Sequence, residues 1–188
     1  MAEKGQVARH RLPRGPRVYL RVPTPRDRSE VVALSQASVS FYRGLASPLS
    51  TARAFAAYVE RCRMPDYLGM IVCRCEDDQI VGAVNLSQIV RGTFQSAYMG
   101  YQVFQPFARQ RYMTDAMTLV LRVTFARLRL HRVEANIQPT NVASIALVKR
   151  AGFVKEGYSP RYMKIGGRWR DHERWAITAE RWAESKRP

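Results

Sequence analysis

Tyr98-Met-Gly-Tyr-Gln-Val-Phe-Gln-Pro-Phe-Ala-Arg-Gln-Arg-Tyr-Met-Thr114 reads as a strand that passes through a basic loop straight into a helix. The first helical N–H groups have no partner one turn earlier, and the positive end of the helix dipole lies beside them, so the loop suits an anionic group such as a pyrophosphate. Past the helix, the chain continues with a strand over 131–137, a helix opened by Asn141-Val-Ala-Ser144, and Ala151-Gly-Phe153. Arg109 and Arg111 stand in the loop where glycine would give the easiest backbone approach to phosphate. Either their guanidinium groups supply bidentate hydrogen bonds to phosphate oxygens instead, or they point to solvent and the backbone N–H groups alone bind.

Working outward, Val18–Val22 reads as a strand, Thr24-Pro-Arg-Asp27 as the opening of a helix over 28–38, and Thr51 as the cap of a second helix through Arg63. The segment between 39 and 50 is irregular and suits either a cleft wall or a plain connector. Strands over 67–75, 80–90 and 95–103, joined by short turns, predict an antiparallel meander. Met113, Met117, Val120, Leu121, Phe125 and Leu128 recur at helical spacing, predicting a core helix of about four turns. Gly152 is placed to end the Asn141 helix, and Val154–Lys164 and Trp169–Ile177 form a hairpin around Ile165-Gly-Gly-Arg168.

The chain has 188 residues, 46% of them apolar, which fits one α/β domain with a proper core. We expect a basic, mobile arm over 1–16, the domain over 17–182 and a basic tail over 183–188. A formal charge of +16 points to an anionic partner without choosing among nucleic acid, a ribosome-like particle and a polyanionic cofactor. There is no apolar run near the roughly 20 residues of a membrane span, and the N-terminus lacks the apolar core of a signal peptide. A cytoplasmic location and no membrane partner are therefore expected. Cys62, Cys73 and Cys75 read as reduced thiols, since the three histidines are scattered without metal-like spacing, so no metal is expected.

From Val18 to Trp182 the order and spacing of these pieces resemble the GNAT N-acetyltransferases, and specifically the RimJ/RimL group that acetylates ribosomal-protein N-termini. The resemblance rests on the strand-loop-helix from Tyr98, on Asn141-Val-Ala-Ser144, on Gly152-Phe153 with Glu156-Gly157, and on the hairpin Ile165-Gly-Gly-Arg-Trp-Arg-Asp-His172. It implies a central, mixed but mostly antiparallel sheet of about seven strands flanked by about four helices. It also implies acetyl-CoA as acyl donor and a protein α-amine, favourably that of a ribosomal protein, as acceptor, with RNA or ribosome contact through the basic surface. The family's pyrophosphate loop, Q/R-x-x-G-x-G/A, falls on Ala108–Met113, where neither glycine is present. Small-amine or antibiotic acetylation, or a degenerate fold kept for ribosome or RNA binding, are the alternatives.

Within the resemblance, Val103 and Phe104 would offer backbone groups to the pantetheine arm, and Arg109, Gln110, Arg111, Tyr112, Met113 and Thr114 would cradle the pyrophosphate. Asn141 and Ser144 would face the same cleft, with Ser144 as acid toward the leaving thiolate. The implied reaction is direct attack by a neutral amine without an acyl-enzyme. An α-amine of pKa about 8 costs about 1.4 kcal/mol to deprotonate at pH 7, against roughly 4.6 for a lysine near 10.4, so a site without a strong base suits the former. Glu134 is the carboxylate on the strand between the two cofactor segments and is the candidate base, with Tyr98 or Tyr101 as relays or a backbone-held water as further possibilities. Tyr98, Tyr101 and Asp171 are candidate substrate-binding residues. The RimL branch carries a carboxylate at the point occupied here by Met163. Asp171 and His172, adjacent on a strand, face opposite ways and cannot act as a pair by proximity.

Overall fold

A computed structural model describes residues 12–45 and 49–185. Seven strands, β1 (Val18–Arg21), β2 (Leu68–Arg74), β3 (Ile80–Val90), β4 (Ser96–Val103), β5 (Arg132–Ile137), β6 (Val154–Ile165) and β7 (Arg168–Thr178), form one sheet in the order β1-β2-β3-β4-β5-β7-β6. Every neighbouring pair is antiparallel except β4 and β5, which run parallel. The helices are α1 (Arg28–Ala37), α2 (Ala52–Arg61), α3 (Tyr112–Arg122), α4 (Val142–Arg150) and α5 (Ala179–Glu184).

β2 is buried on both faces from Leu68 to Cys73, which is why that stretch is an unbroken apolar run ahead of Arg74. Leu68, Met70 and Val72 join a core under α3 and α4, while Ile71 and Cys73 join a second core under α1 and α2. The sheet therefore has helices on both sides. Thr51 caps α2 by accepting the Ala54 N–H at 3.1 Å, and Asp27 anchors the start of α1. Its carboxylate takes two hydrogen bonds from Arg21 (2.7 and 2.8 Å) and one from the Thr24 N–H (2.6 Å) while only 8% of the residue is exposed. At the far end, Gly166 and Gly167 (φ 58° and 79°) make the left-handed turn that joins β6 to β7.

The expected four-turn helix is shorter than its periodicity suggests. α3 ends at Arg122 and passes into a wide turn over Val123–Arg127, closed by the Leu128 N–H on the Val123 carbonyl at 2.9 Å. Thr124 bends the chain there by donating its hydroxyl back to the Val120 carbonyl at 2.9 Å. A fifth helix, α5, also departs from expectation and carries the fold to Glu184, past the expected boundary at 182. At the other end, Leu12 packs against the core, the Pro13 carbonyl accepts the Leu20 N–H and Arg14 bridges to Tyr19, so residues 12–16 belong to the domain. The first eleven residues of the expected arm, and the last three of the expected tail, lie outside the described residues.

Candidate active site

β4 and β5 pair only from Ser96 with Arg132 to Tyr98 with Glu134. Both strands then run on, to Val103 and Ile137, without pairing, so the sheet splits at its one parallel seam. A cavity of about 430 Å³ fills the split. Its walls come from β4 (Met99, Gly100, Tyr101, Gln102), β5 (Ala135, Asn136, Ile137), the start of α4 (Asn141, Ser144) and the hairpin (Met163, Ile165, His172). Tyr42, Leu45, Leu49, Tyr58 and Tyr67 close it from the α1–α2 side. Gln138 holds that side in place by donating to the Gly44 carbonyl at 2.8 Å.

Tyr101 crosses the gap, its hydroxyl 2.5 Å from Ser144 Oγ. Burial pushes the Tyr101 phenol up to about 12, against the smaller opposing effect of the Ser144 hydrogen bond. The pair is therefore neutral at physiological pH and has a proton to give. Asn141 Oδ1 caps α4 by accepting the Ser144 N–H at 3.2 Å, which fixes Ser144 in the cavity wall. Burial likewise raises the phenols of Tyr42, Tyr58 and Tyr67. Among the described residues, the cavity lining contains no Asp, Glu, Lys or Arg.

The loop at the start of α3 keeps a glycine-like backbone without glycine. Arg109 and Arg111 have φ of 63° and 65°, in the left-handed region that costs an L-residue roughly 1–2 kcal/mol. Among the described residues, no hydrogen bond is made by the N–H groups of Arg109, Gln110, Arg111, Tyr112 and Met113. The Gln110 carbonyl is held by Arg17 at 2.9 Å, and the Gln110 side chain folds back to the Pro106 carbonyl at 3.0 Å. Tyr112 and Met113 bury their side chains and leave only backbone to the loop. Arg109 and Arg111 are exposed, and neither forms an ion pair among the described residues. Thr114 donates its N–H to the Arg111 carbonyl and lines a smaller cavity of about 290 Å³ between α3 and α4. This set of orphan N–H groups and free guanidiniums fits a pyrophosphate.

Other expected residues sit differently. Phe104 buries its ring in the second core, gives its N–H to Val81 and its carbonyl to Phe107, and so has neither group free for a ligand. At Val103 the N–H donates to the Tyr42 hydroxyl at 2.9 Å and the carbonyl accepts from it at 2.7 Å. A phenol can be displaced there, whereas the bonds of Phe104 are part of the fold. Glu134 lies outside the cavity lining and is held by Arg132 at 2.8 Å, which also grips Glu156. With its carboxylate on Arg132 and outside the cavity wall, it is not placed to reach an amine there, so the expected role does not suit it. Tyr98 is also outside the lining, and its phenol is raised by the neighbouring Tyr162 and by burial. Asp171 turns away from the cavity, accepting the Tyr158 hydroxyl (2.5 Å) and the Arg161 N–H (2.7 Å), and so secures the irregular stretch of β6 between Ser159 and Met163. Strand alternation then puts His172 inside, 2% exposed and in the cavity wall. No disulfide joins Cys62, Cys73 and Cys75, and no group of three or more metal-ligating side chains occurs among the described residues.

A family profile described as an acetyltransferase (GNAT) domain matches residues 17–154. A probable N-acetyltransferase of Bacillus subtilis, YjcK, is 38% identical over 120 residues, which cover 64% of this chain and 66% of that protein. The ribosomal protein uS5-alanine N-acetyltransferase of Escherichia coli is 37% identical over 111 residues, covering 59% of this chain and 57% of that protein. The chain thus spans less than two thirds of the length of these relatives. Among solved structures, Mycobacterium smegmatis RimJ in complex with CoA-disulfide superposes with a TM-score of 0.80 at 25% identity, covering 90% of each chain.

Proposed function

This chain belongs to the GNAT acetyltransferase family, and on that premise we propose that it moves an acetyl group from acetyl-CoA to the N-terminal α-amine of a protein, favourably a ribosomal one. The observation that carries this reading is the split between β4 and β5. It leads from the orphan N–H groups of the Arg109–Met113 loop to the Tyr101–Ser144 hydroxyl pair. The loop would hold the pyrophosphate, and the Val103 backbone groups would take the pantetheine amide in place of Tyr42. Ser144 would then stand at the leaving sulfur. The amine nitrogen attacks the thioester carbonyl carbon directly, and the hydroxyl pair supplies the proton that the thiolate needs.

The acceptor side favours an α-amine. A cavity whose described lining holds no carboxylate is poorly suited to bind a polycationic small amine or to strip a proton from a strongly basic lysine. Uncharged amide and phenol groups suit a weakly basic amine on an extended peptide. A formal charge of +16 suits a substrate presented beside RNA. A fold kept only for binding is disfavoured by the same loop, which retains a costly left-handed backbone at both Arg109 and Arg111. Calorimetry with acetyl-CoA tests the enzyme reading: binding is expected, and its absence at millimolar cofactor removes it. A peptide library then identifies the preferred N-terminal residue.

A further inference from the structure

We propose that His172 is the general base of this site, taking the proton from the acceptor amine through Nε2, and that Asn136 Oδ1 orients that amine. The assignment rests on the acetyl-transfer reading above and names the groups that serve its acceptor.

The amine of a protein N-terminus is mostly protonated at neutral pH and must lose a proton before it attacks. The cavity wall offers few acceptors. Among the described residues it contains no carboxylate and no lysine. The phenols of Tyr42, Tyr58, Tyr67 and Tyr101 are held in the protonated form by burial. Amide and hydroxyl side chains do not take up a proton in this range. His172 is the lining side chain whose chemistry does.

The surroundings of His172 fix its tautomer. Nδ1 lies 3.0 Å from the Arg170 carbonyl oxygen. A carbonyl only accepts, so Nδ1 must carry the hydrogen and Nε2 must carry the lone pair. Nε2 has no hydrogen-bond partner among the described residues. The ring is steadied by Tyr162 on β6, 5.9 Å away between centroids. The charged neighbours on its own strand are Asp171, whose carboxylate is turned to Tyr158 and Arg161, Glu173, which is paired with Lys155 at 2.5 Å, Arg170, whose Nε is buried without a hydrogen bond, and Arg174, whose guanidinium packs over Gly157. The imidazole therefore stands in the cavity wall with Nε2 unpaired among the described residues.

Asn136 supplies an independent observation. It lines the same cavity from β5, and its Oδ1 is buried with no hydrogen-bond partner among the described residues. A buried amide oxygen without a partner is costly and calls for a donor. An amine N–H is such a donor, and one placed between Asn136 and His172 has one hydrogen bond for orientation and one for proton transfer.

The step balances. The substrate ammonium gives one proton to His172 Nε2, which passes it to solvent. The neutral nitrogen attacks the thioester carbon, the C–N bond forms and the C–S bond breaks. The leaving sulfur takes a proton from the Ser144–Tyr101 pair, which is refilled by the proton the nitrogen sheds as it becomes an amide.

The test is His172→Asn, which retains an N–H for the Arg170 carbonyl and lacks Nε2, with His172→Gln as a second variant. Transfer to a peptide with a free N-terminus is expected to fall about 100-fold or more in kcat at neutral pH, with acetyl-CoA affinity unchanged by calorimetry. The variant rate should rise with pH toward the amine's own pKa more steeply than the wild-type rate, and added imidazole should restore part of it. Asn136→Ala should raise KM for the peptide with little change in acetyl-CoA binding. Near wild-type transfer by both His172 variants, with an unchanged pH profile, overturns the proposal. So does nitrogen NMR of the wild-type protein finding the hydrogen on Nε2 of neutral His172, a readout that needs no variant to fold. Failure of the wild-type protein to acetylate any α-amine would instead sink the acetyl-transfer reading beneath it.

Discussion

Replacing Arg109 and Arg111 together by alanine separates charge from backbone in the loop proposed to hold the pyrophosphate. Both residues have positive φ, both are exposed, and neither has a carboxylate partner among the described residues. Alanine at the same φ keeps much of the left-handed cost in the free and bound protein alike, so that cost largely cancels in binding. What changes is two charge-assisted contacts to phosphate. Each would be worth up to about 3 kcal/mol if buried, and solvent exposure reduces that to about 1. The double variant should therefore bind CoA about 2 kcal/mol more weakly, or roughly 30-fold. Titration calorimetry with CoA measures this directly. Pantetheine, which lacks the pyrophosphate, is the internal control and should bind both proteins equally. Raising the ionic strength should narrow the difference for CoA. Equal CoA affinity for both proteins would refute the reasoning and leave the backbone N–H groups as the whole of the phosphate site.

Three other substitutions probe separate parts of the account. Arg111→Gly removes a left-handed side chain at the cost of extra unfolded-state entropy, and should raise stability by about 0.5–1 kcal/mol, measured by chemical denaturation of the free protein. Tyr42→Phe frees the Val103 N–H and carbonyl, and CoA then has no phenol to displace. A hydrogen bond worth about 1 kcal/mol no longer opposes binding, so affinity should improve about fivefold, and a weaker complex would show that Tyr42 stays in place when CoA binds. Asp27→Asn tests the anchor at α1. Burial alone would raise the Asp27 carboxyl, but Arg21 and Thr24 outweigh it and hold it below its usual value. Its stabilisation is therefore present above the unfolded pKa and is lost as pH falls through the lower folded value. The variant should be less stable by about 3 kcal/mol at neutral pH, and the gap should shrink on acidification below about pH 4.

The sheet was legible because its signals are local. β2 is apolar from Leu68 to Cys73, the hairpin turn carries paired glycines, and α3 has helical spacing from Met113 to Val120. The seam was legible in order alone, since a strand, a loop and a helix followed by a second strand imply a parallel neighbour. The site was less so, because its chemistry depends on which partner each side chain meets. Glu134 stood out as a lone carboxylate, yet Arg132, two residues away on the same face, neutralises it. Asp171 and His172 were known to face opposite ways, but only the packed hairpin shows which one enters the cavity. The left-handed arginines run against their own conformational preference, so residue type alone did not announce the glycine-like loop, which tertiary contacts such as Arg17 on the Gln110 carbonyl accompany. α5 spans only Ala179–Glu184, too short to announce itself by periodicity.

The central claim is acetyl transfer to a protein N-terminus. Incubating the protein with acetyl-CoA and a pair of lysine-containing peptides, one with a free N-terminus and one blocked, and mapping the acetyl group by mass spectrometry tests it most directly. The account predicts a single acetyl group on the α-amine of the free peptide and none on the blocked one. Acetylation mainly on internal lysines, equal in the two peptides, would contradict it.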